Sequence, residues 1–213
     1  MNFEKACKPF YFFSHSLLMY LFTKNWKTTL QSFKQLYKHC NPKKTMVCFD
    51  LDDIIMTPPK TVSTTWWNTY KEKDKEDIYI RTLHEQKSKL INDEIPTFIN
   101  SLQENETATV GITARMPMVA IPTLRDLHSF GIEFDKVHKL PNSIYDCSTD
   151  KLLLNNVFFL GGASKGQTIA NISDNSEYIF FIDDQYSNII DVMRHTKYLK
   201  KIVYVFRITD HIQ

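Results

Sequence analysis

Five short apolar runs, spaced by longer amphipathic or charged segments, constrain this chain more than any other feature: Thr45–Phe49, Thr107–Ile112, Val157–Leu160, Tyr178–Ile182 and Lys201–Phe206. Runs of four to six residues are too short for helices, and their nearly unbroken apolar character fits strands buried on both faces. Between them lie helical signals. Residues 66–104 are charged and helical in pattern, ending in a helix through Ile95–Leu102, and Pro122–Phe130 carries a proline near its start and Gly131 at its end. Gly166–Ala170 opens a further helix, and Ser187–His195 reads as another. Strands that alternate with helices imply an α/β fold, a parallel sheet covered by helices on both faces.

Composition sets few further limits. With 213 residues, 43% of them apolar and 23% charged, the chain has the makings of one ordinary globular domain, with room for a small appendage. Only five glycines are present, which excludes long flexible linkers. The cysteines Cys7, Cys40, Cys48 and Cys147 form no C-x-x-C pair, so a zinc site is not expected. Cys48 falls in an apolar strand and is expected as a buried free thiol.

The first 44 residues differ from the rest. Between Lys5 and Phe49 there are eight lysines and no acidic residue or arginine, while the remainder carries 18 basic against 24 acidic residues. The apolar run Phe10–Phe22 is too short to span a bilayer. Lys5 and Lys8 precede it as in a signal peptide, but residues 23–27 lack the small-residue cleavage pattern. Trp26, Leu30, Phe33, Leu36 and Tyr37 then recur at helical spacing among Lys24, Lys27, Lys34 and Lys38. Residues 1–44 are thus expected as a basic, amphipathic helical extension, a hairpin packed on the domain at 45–213. Contact with a membrane surface or a protein through residues 5–44 is the alternative. Cysteine usage and the poor cleavage site favour a cytoplasmic location, and the N-terminal segment leaves secretion or membrane association open.

In parallel α/β sheets the working residues gather beyond the carboxyl ends of the strands. After the first strand stand Asp50, Asp52 and Asp53; after the second, Thr113; after the third, Lys165 at a helix start; after the fourth, Asp183 and Asp184. Together these suit phosphoryl transfer. A carboxylate can attack phosphorus and divide one hard step into two. Clustered carboxylates need a cation to hold them, and magnesium fits hard oxygen ligands and phosphate. A hydroxyl and an ammonium neutralise the phosphoryl charge.

This order resembles the haloacid dehalogenase superfamily in its phosphatase branch, over roughly residues 45–206. Its Asp-x-Asp-x-Thr/Val motif is matched by Asp50 to Ile54, its Ser/Thr motif by Thr113, its Lys motif by Lys165, and its acidic pair by Asp183 and Asp184. The resemblance implies a Rossmann-like, doubly wound parallel sheet. It implies Asp50 as nucleophile, Asp52 as general acid and then base, Thr113 and Lys165 on the phosphoryl group, and Mg2+ held by Asp50, the Asp52 carbonyl, Asp183 and Asp184. Asp52 separates the phosphatases from the dehalogenases, which lack that second acid.

Ile54 departs from the usual Thr or Val but stays β-branched. The space between Asp52 and Thr113 allows a small insert around residues 58–95 and no large cap, as in poorly characterised small-capped bacterial members. Such an open site tends to admit bulky or macromolecular phosphorylated substrates as well as small ones. Arg115 could clamp a substrate anion or serve in a structural ion pair. Trp66 and Trp67 could stack on a substrate or pack under the insert. Asp53 belongs to a second layer of the site or to a solvated turn. The seven histidines show no ligand spacing, and no basic, aromatic-interleaved groove suggests sequence-specific nucleic-acid binding. The function expected is a magnesium-dependent phosphomonoesterase. The alternatives are an inactive fold used as a binding or effector module and, less readily, a phosphomutase.

Overall fold

The computed structural model describes residues 11–209, except 14–15, 64–65, 67–68, 71–72, 137–139 and 141–150. Trp67, Cys7, Cys147, Lys5 and Lys8 lie outside the described residues. In chain order the elements are β1 (Tyr11–Phe13), β2 (Ser16–Thr23), α1 (Trp26–Tyr37), β3 (Thr45–Phe49), β4 (Met56–Thr57), α2 (Lys75–Glu85), β5 (Lys89–Leu90) and α3 (Glu94–Glu104). There follow β6 (Ala108–Thr113), α4 (Ala120–Ser129), β7 (Leu152–Leu154), β8 (Val157–Phe159), α5 (Lys165–Ile172), β9 (Tyr178–Asp183), α6 (Tyr186–Thr196) and β10 (Ile202–Ile208).

One eight-stranded sheet, in the order β1-β2-β10-β9-β3-β6-β8-β7, carries the molecule. Every pairing from β2 across to β8 is parallel, and only the edge strands β1 and β7 run antiparallel. Side chains alternate across the strands, so β3 splits its apolar residues between two cores. Val47 and Phe49 pack with α1, α3 and α4 on one face. Met46 and Cys48 pack with α5 and α6 on the other. The fold is an α/β, doubly wound, Rossmann-like sheet, and each of the five apolar runs is one of its strands.

The N-terminal segment departs from expectation. The apolar run ending at Phe22, expected to be helical, is strand β2, paired in parallel with β10 from Leu17↔Ile202 to Thr23↔Ile208. Leu18 enters one core and Met19 and Leu21 the other. A continuous apolar run has no period to separate a two-sided strand from a buried helix, so the neighbour β10 decides. Among the described residues of the helical extension expected over 1–44, Pro42–Lys44 form a single 3-10 turn, and α1 is the α-helix. There the spacing holds: Asn25 caps the helix by accepting from the Thr28 amide, Trp26, Leu30 and Phe33 are buried, and Lys24, Lys27, Lys34 and Lys38 are exposed. Phe33 lies 4.5 Å from the ring centroid of Phe180 and 4.9 Å from that of Phe98, so the apolar face of α1 is spent on the core. No helix among the described residues is long and apolar enough to cross a membrane.

The insert after β3 is small. Met56 and Thr57 pair with Leu90 and Lys89, and the chain between them carries α2. Arg125 of α4 fastens the end of α2 by donating to the carbonyls of Leu83, His84 and Gln86 at 3.0–3.3 Å. The buried Asp126 beside it accepts from the Ser88 amide at 2.8 Å. Gly131 follows α4 with φ 76°, the left-handed conformation that ends helices and that glycine adopts without strain. Gly166 is needed for space: a Cβ there would stand 2.4 Å from the Asp191 carbonyl oxygen, so α5 and α6 could not approach as they do.

Candidate active site

Four strand ends and one helix start meet at the carboxyl edge of the sheet. Asp50 directly follows β3, and its amide donates to the Ile182 carbonyl of β9 at 3.0 Å, which fixes where its side chain emerges. Asp183 closes β9, and Asp184 follows it. Lys165 is the first residue of α5, placed by a cap in which Ser164 accepts from the Gln167 amide. The Ser164 hydroxyl and the Gly166 amide both donate to Asp191 of α6 at 2.8 Å, so α6 holds the start of α5 in position.

Lys165 lies between two carboxylates, with Nζ 2.7 Å from Asp50 Oδ1 and 2.8 Å from Asp183 Oδ2. Asp50 Oδ1 also accepts from the Leu51 amide at 2.8 Å. Oδ2 of Asp50 accepts no hydrogen bond among the described residues. Asp183 is fully buried and is held by the Gln185 amide at 2.7 Å and by the Asn188 amide group at 3.0 and 3.1 Å. Gln185 also donates to Asp184, whose carbonyl accepts from Arg207 at 3.0 Å.

The cluster is electrically unbalanced. Oxygens of Asp50, Asp183 and Asp184 lie within 4.8 Å of one another, and all three residues are buried beside the single ammonium of Lys165. Burial pushes the Asp50 carboxyl well above its ordinary range; Lys165 pulls it back, and Asp183 and Asp184 raise it again. Burial alone would lower Lys165, but Asp183 and Asp50 hold its ammonium charged well beyond the usual range. Three converging hard oxygen donors with one counter-charge are a donor set suited to a divalent cation such as magnesium. Asp50, Asp183 and Asp184 are the side chains that would hold it.

The remaining predicted residues are placed otherwise. Thr113, fully buried, ends β6 on the strand next to Asp50, and its hydroxyl accepts from the Arg115 amide at 3.1 Å. Asp52 is not one of the three clustered carboxylates, although it lines the same cavity. Both its oxygens lie in the fork of Arg115, with Nε at 2.9 and 3.2 Å and an Nη at 2.6 Å, and its side chain stays 23% exposed. Arg115 is itself buried and donates to Thr123 at 2.8 Å. Of the two readings open for Arg115, the geometry realises the ion pair and leaves the guanidinium committed to Asp52. Trp66 stacks on Tyr70 at 4.7 Å and packs with Val62, Leu83 and Val119 under the insert, behind the lining residues Val62 and Tyr79 rather than in the lining itself. Asp53 has φ 61° and donates its amide to Met56, as a turn residue does. Cys48 is fully buried, and burial pushes its thiol up, so it is an inert core residue.

A cavity of about 330 Å³ opens over this cluster, lined by Asp50, Asp52, Lys165 and Asp184 on one side and by Glu76 and Tyr79 of α2 on the other. Glu76, Tyr79, Met116, Gln185 and Asn188 carry no sequence signal as site residues. Only Asn188, five places beyond Asp183 in a helical stretch, stood where spacing could have pointed to it.

Residues 29–207 match the model of the family described as "Protein of unknown function (DUF2608)". The chain belongs to that family. No curated protein matches it. Among solved structures it is similar to the HAD domain of the effector protein Lem4 from Legionella pneumophila, with 12% identity, TM-score 0.46 and coverage of 78% of this chain and 87% of that one. It is also similar to cytosolic 5'-nucleotidase IIIB bound to cytidine, with 11% identity, TM-score 0.42 and coverage of 83% and 76%.

Proposed function

We propose that the chain is a magnesium-dependent phosphomonoesterase of the haloacid dehalogenase type, with Asp50 as its nucleophile. One observation carries the reading: Lys165 bridges Asp50 Oδ1 and Asp183 Oδ2, and oxygens of Asp50, Asp183 and Asp184 converge within 4.8 Å of one another. In this reading Oδ2 attacks phosphorus, the P–O ester bond breaks, and the phosphoryl group passes to Asp50. Asp52 supplies the proton that the departing alkoxide needs. It then takes one from the water that cleaves the aspartyl-phosphate, releasing phosphate and free Asp50. Lys165 and the Thr113 hydroxyl neutralise the phosphoryl oxygens. Magnesium, when bound, supplies the positive charge that lets three carboxylates and a phosphate share one site. Arg115 fixes the direction of the Asp52 carboxyl, and the exposed part of that side chain is where a leaving group reaches it.

Hydrolysis of phenyl phosphate by the purified chain, with magnesium and with chelator and beside Asp50→Asn, tests this. Magnesium-dependent turnover that vanishes in the variant is expected. Absence of turnover, together with a melting temperature that magnesium does not move, would overturn the reading in favour of a binding or effector module.

A further inference from the structure

The wall of the cavity opposite the carboxylates comes from the insert, and it is fixed. Arg125 holds three carbonyls at the end of α2, Asp126 holds the Ser88 amide, and the His84 ring lies 3.3 Å from the Met118 carbonyl. Tyr79 packs against the small core of Val62, Leu83 and Val119. A helix fastened at its far end and packed along its length is a wall rather than a swinging lid. The cavity, open at its mouth, has a volume of about 330 Å³, at the low end of the range of small-molecule sites, about 300–1,000 Å³.

The chemistry of that wall is specific. Pro58, Val62 and Met116 give it apolar surface, and Glu76 and Tyr79 give it polar groups. The Tyr79 phenol lies close enough to Arg115 and Asp52 to feel both charges. Glu76 is an exposed acid in the first turn of α2 and, when ionised, only accepts hydrogen bonds. It therefore favours a ligand that brings a donor and disfavours one that brings a second anionic group.

We propose that α2 is the specificity wall of the site, and that Glu76 selects small phosphate monoesters whose alcohol portion carries a hydroxyl or ammonium group. The inference rests on the phosphomonoesterase reading and narrows it, because a fixed wall over a small cavity excludes the macromolecular substrates that an uncapped site would admit. The same wall disfavours esters with a second phosphate or a carboxylate near the mouth.

The test uses the full chain with magnesium and compares kcat/KM on phosphoethanolamine, glycerol phosphate, phenyl phosphate, 3-phosphoglycerate and a phosphoserine peptide. The ratio of phosphoethanolamine or glycerol phosphate to phenyl phosphate should fall about tenfold in Glu76→Gln, the scale of one charge-assisted hydrogen bond. Glu76→Lys should shift preference toward 3-phosphoglycerate. The larger fall of the two probes identifies the donor as ammonium or hydroxyl. Turnover that depends on Asp50, with ratios unmoved by both variants or with the peptide as the best substrate, would overturn this inference and leave the phosphomonoesterase reading standing. A wild-type chain that hydrolyses none of the esters overturns both.

Discussion

Two ionic clusters, one buried and one partly exposed, lie at and beside the cavity, and they are built on opposite principles. In one, Asp50 and Asp183 share the ammonium of Lys165, with Asp184 converging beside them. In the other, Asp52 and Asp126 face Arg115 and Arg125, acid matched by base, and Asp126 also accepts a backbone amide of the insert. Burying an ion is costly unless a partner and hydrogen bonds offset it. The matched cluster offsets that cost from within and fastens α2 and its flanking chain to α4. The unmatched one brings three carboxylates together, which is tolerable where a cation and a phosphate complete the balance. The comparison suggests that local charge imbalance, rather than buried charge as such, separates the reacting side of this cavity from its scaffold.

The largest expected effect breaks the unmatched cluster. Lys165→Met removes the ammonium between Asp50 and Asp183 and should destabilise the metal-free protein by about 3–5 kcal/mol. Turnover should fall by about a thousandfold from loss of one charged donor. Denaturant melts in chelator and in magnesium check this. Unchanged stability in chelator would mean that the cluster is not charged as drawn.

The next effect falls on the matched cluster. Arg115→Met strands Asp52 and should cost about 3 kcal/mol, while the double variant with Asp52→Asn recovers part of the loss because no unpaired charge remains. Magnesium affinity, measured by calorimetry, should stay close to wild type. If Arg115→Met abolishes magnesium binding, the two clusters are one unit and the contrast between them fails.

The smallest effect runs the other way. The Asp50 pKa is raised in the fold, chiefly by burial. A group with a raised native pKa contributes stability below its unfolded value and loses it as pH rises through the native value. Asp50→Asn keeps an oxygen acceptor for Lys165 but carries no charge. In chelator it should melt above wild type at pH 8, with the gap closing toward pH 4, by roughly 2–4 °C for each kcal/mol. Magnesium should close the gap at pH 8 by raising wild type. A wild type more stable than the variant in chelator at pH 8 would contradict the burial argument.

Much of this was legible from local pattern. TMVCF and YIFFI announce buried strands because apolar runs of five residues, bounded by polar ones, are too short for helices, and the acids that follow them land on one edge because parallel strands share a direction. The positions of Asp50, Lys165, Asp183 and Asp184 therefore follow from chain order. The amphipathic spacing from Trp26 to Tyr37 fixes α1 for a similar reason, since its apolar stripe repeats at the helical period.

What local pattern left undecided depended on partners distant in sequence. Ser16–Thr23 is a strand because β10 offers a parallel edge and both cores accept its side chains, and its own residues carry no period that says so. The Trp26 indole donates to the Ile54 carbonyl at 2.7 Å, so a helix outside the matched motifs braces the loop that carries Asp50 and Asp52. Arg115 pairs with Asp52 because the turn after β6 brings its fork within 2.6 Å of a carboxylate 63 positions earlier. Glu76 and Tyr79 reach the cavity because Arg125 and the packing of Leu83 against Val62 and Val119 hold the helix that bears them. The sequence by itself determined the order of strands and helices and the edge at which the acids appear, because hydrophobic period and strand direction are local properties. The tertiary structure decided which charges pair and what walls the cavity, because ion pairs and packing join residues that no spacing rule relates.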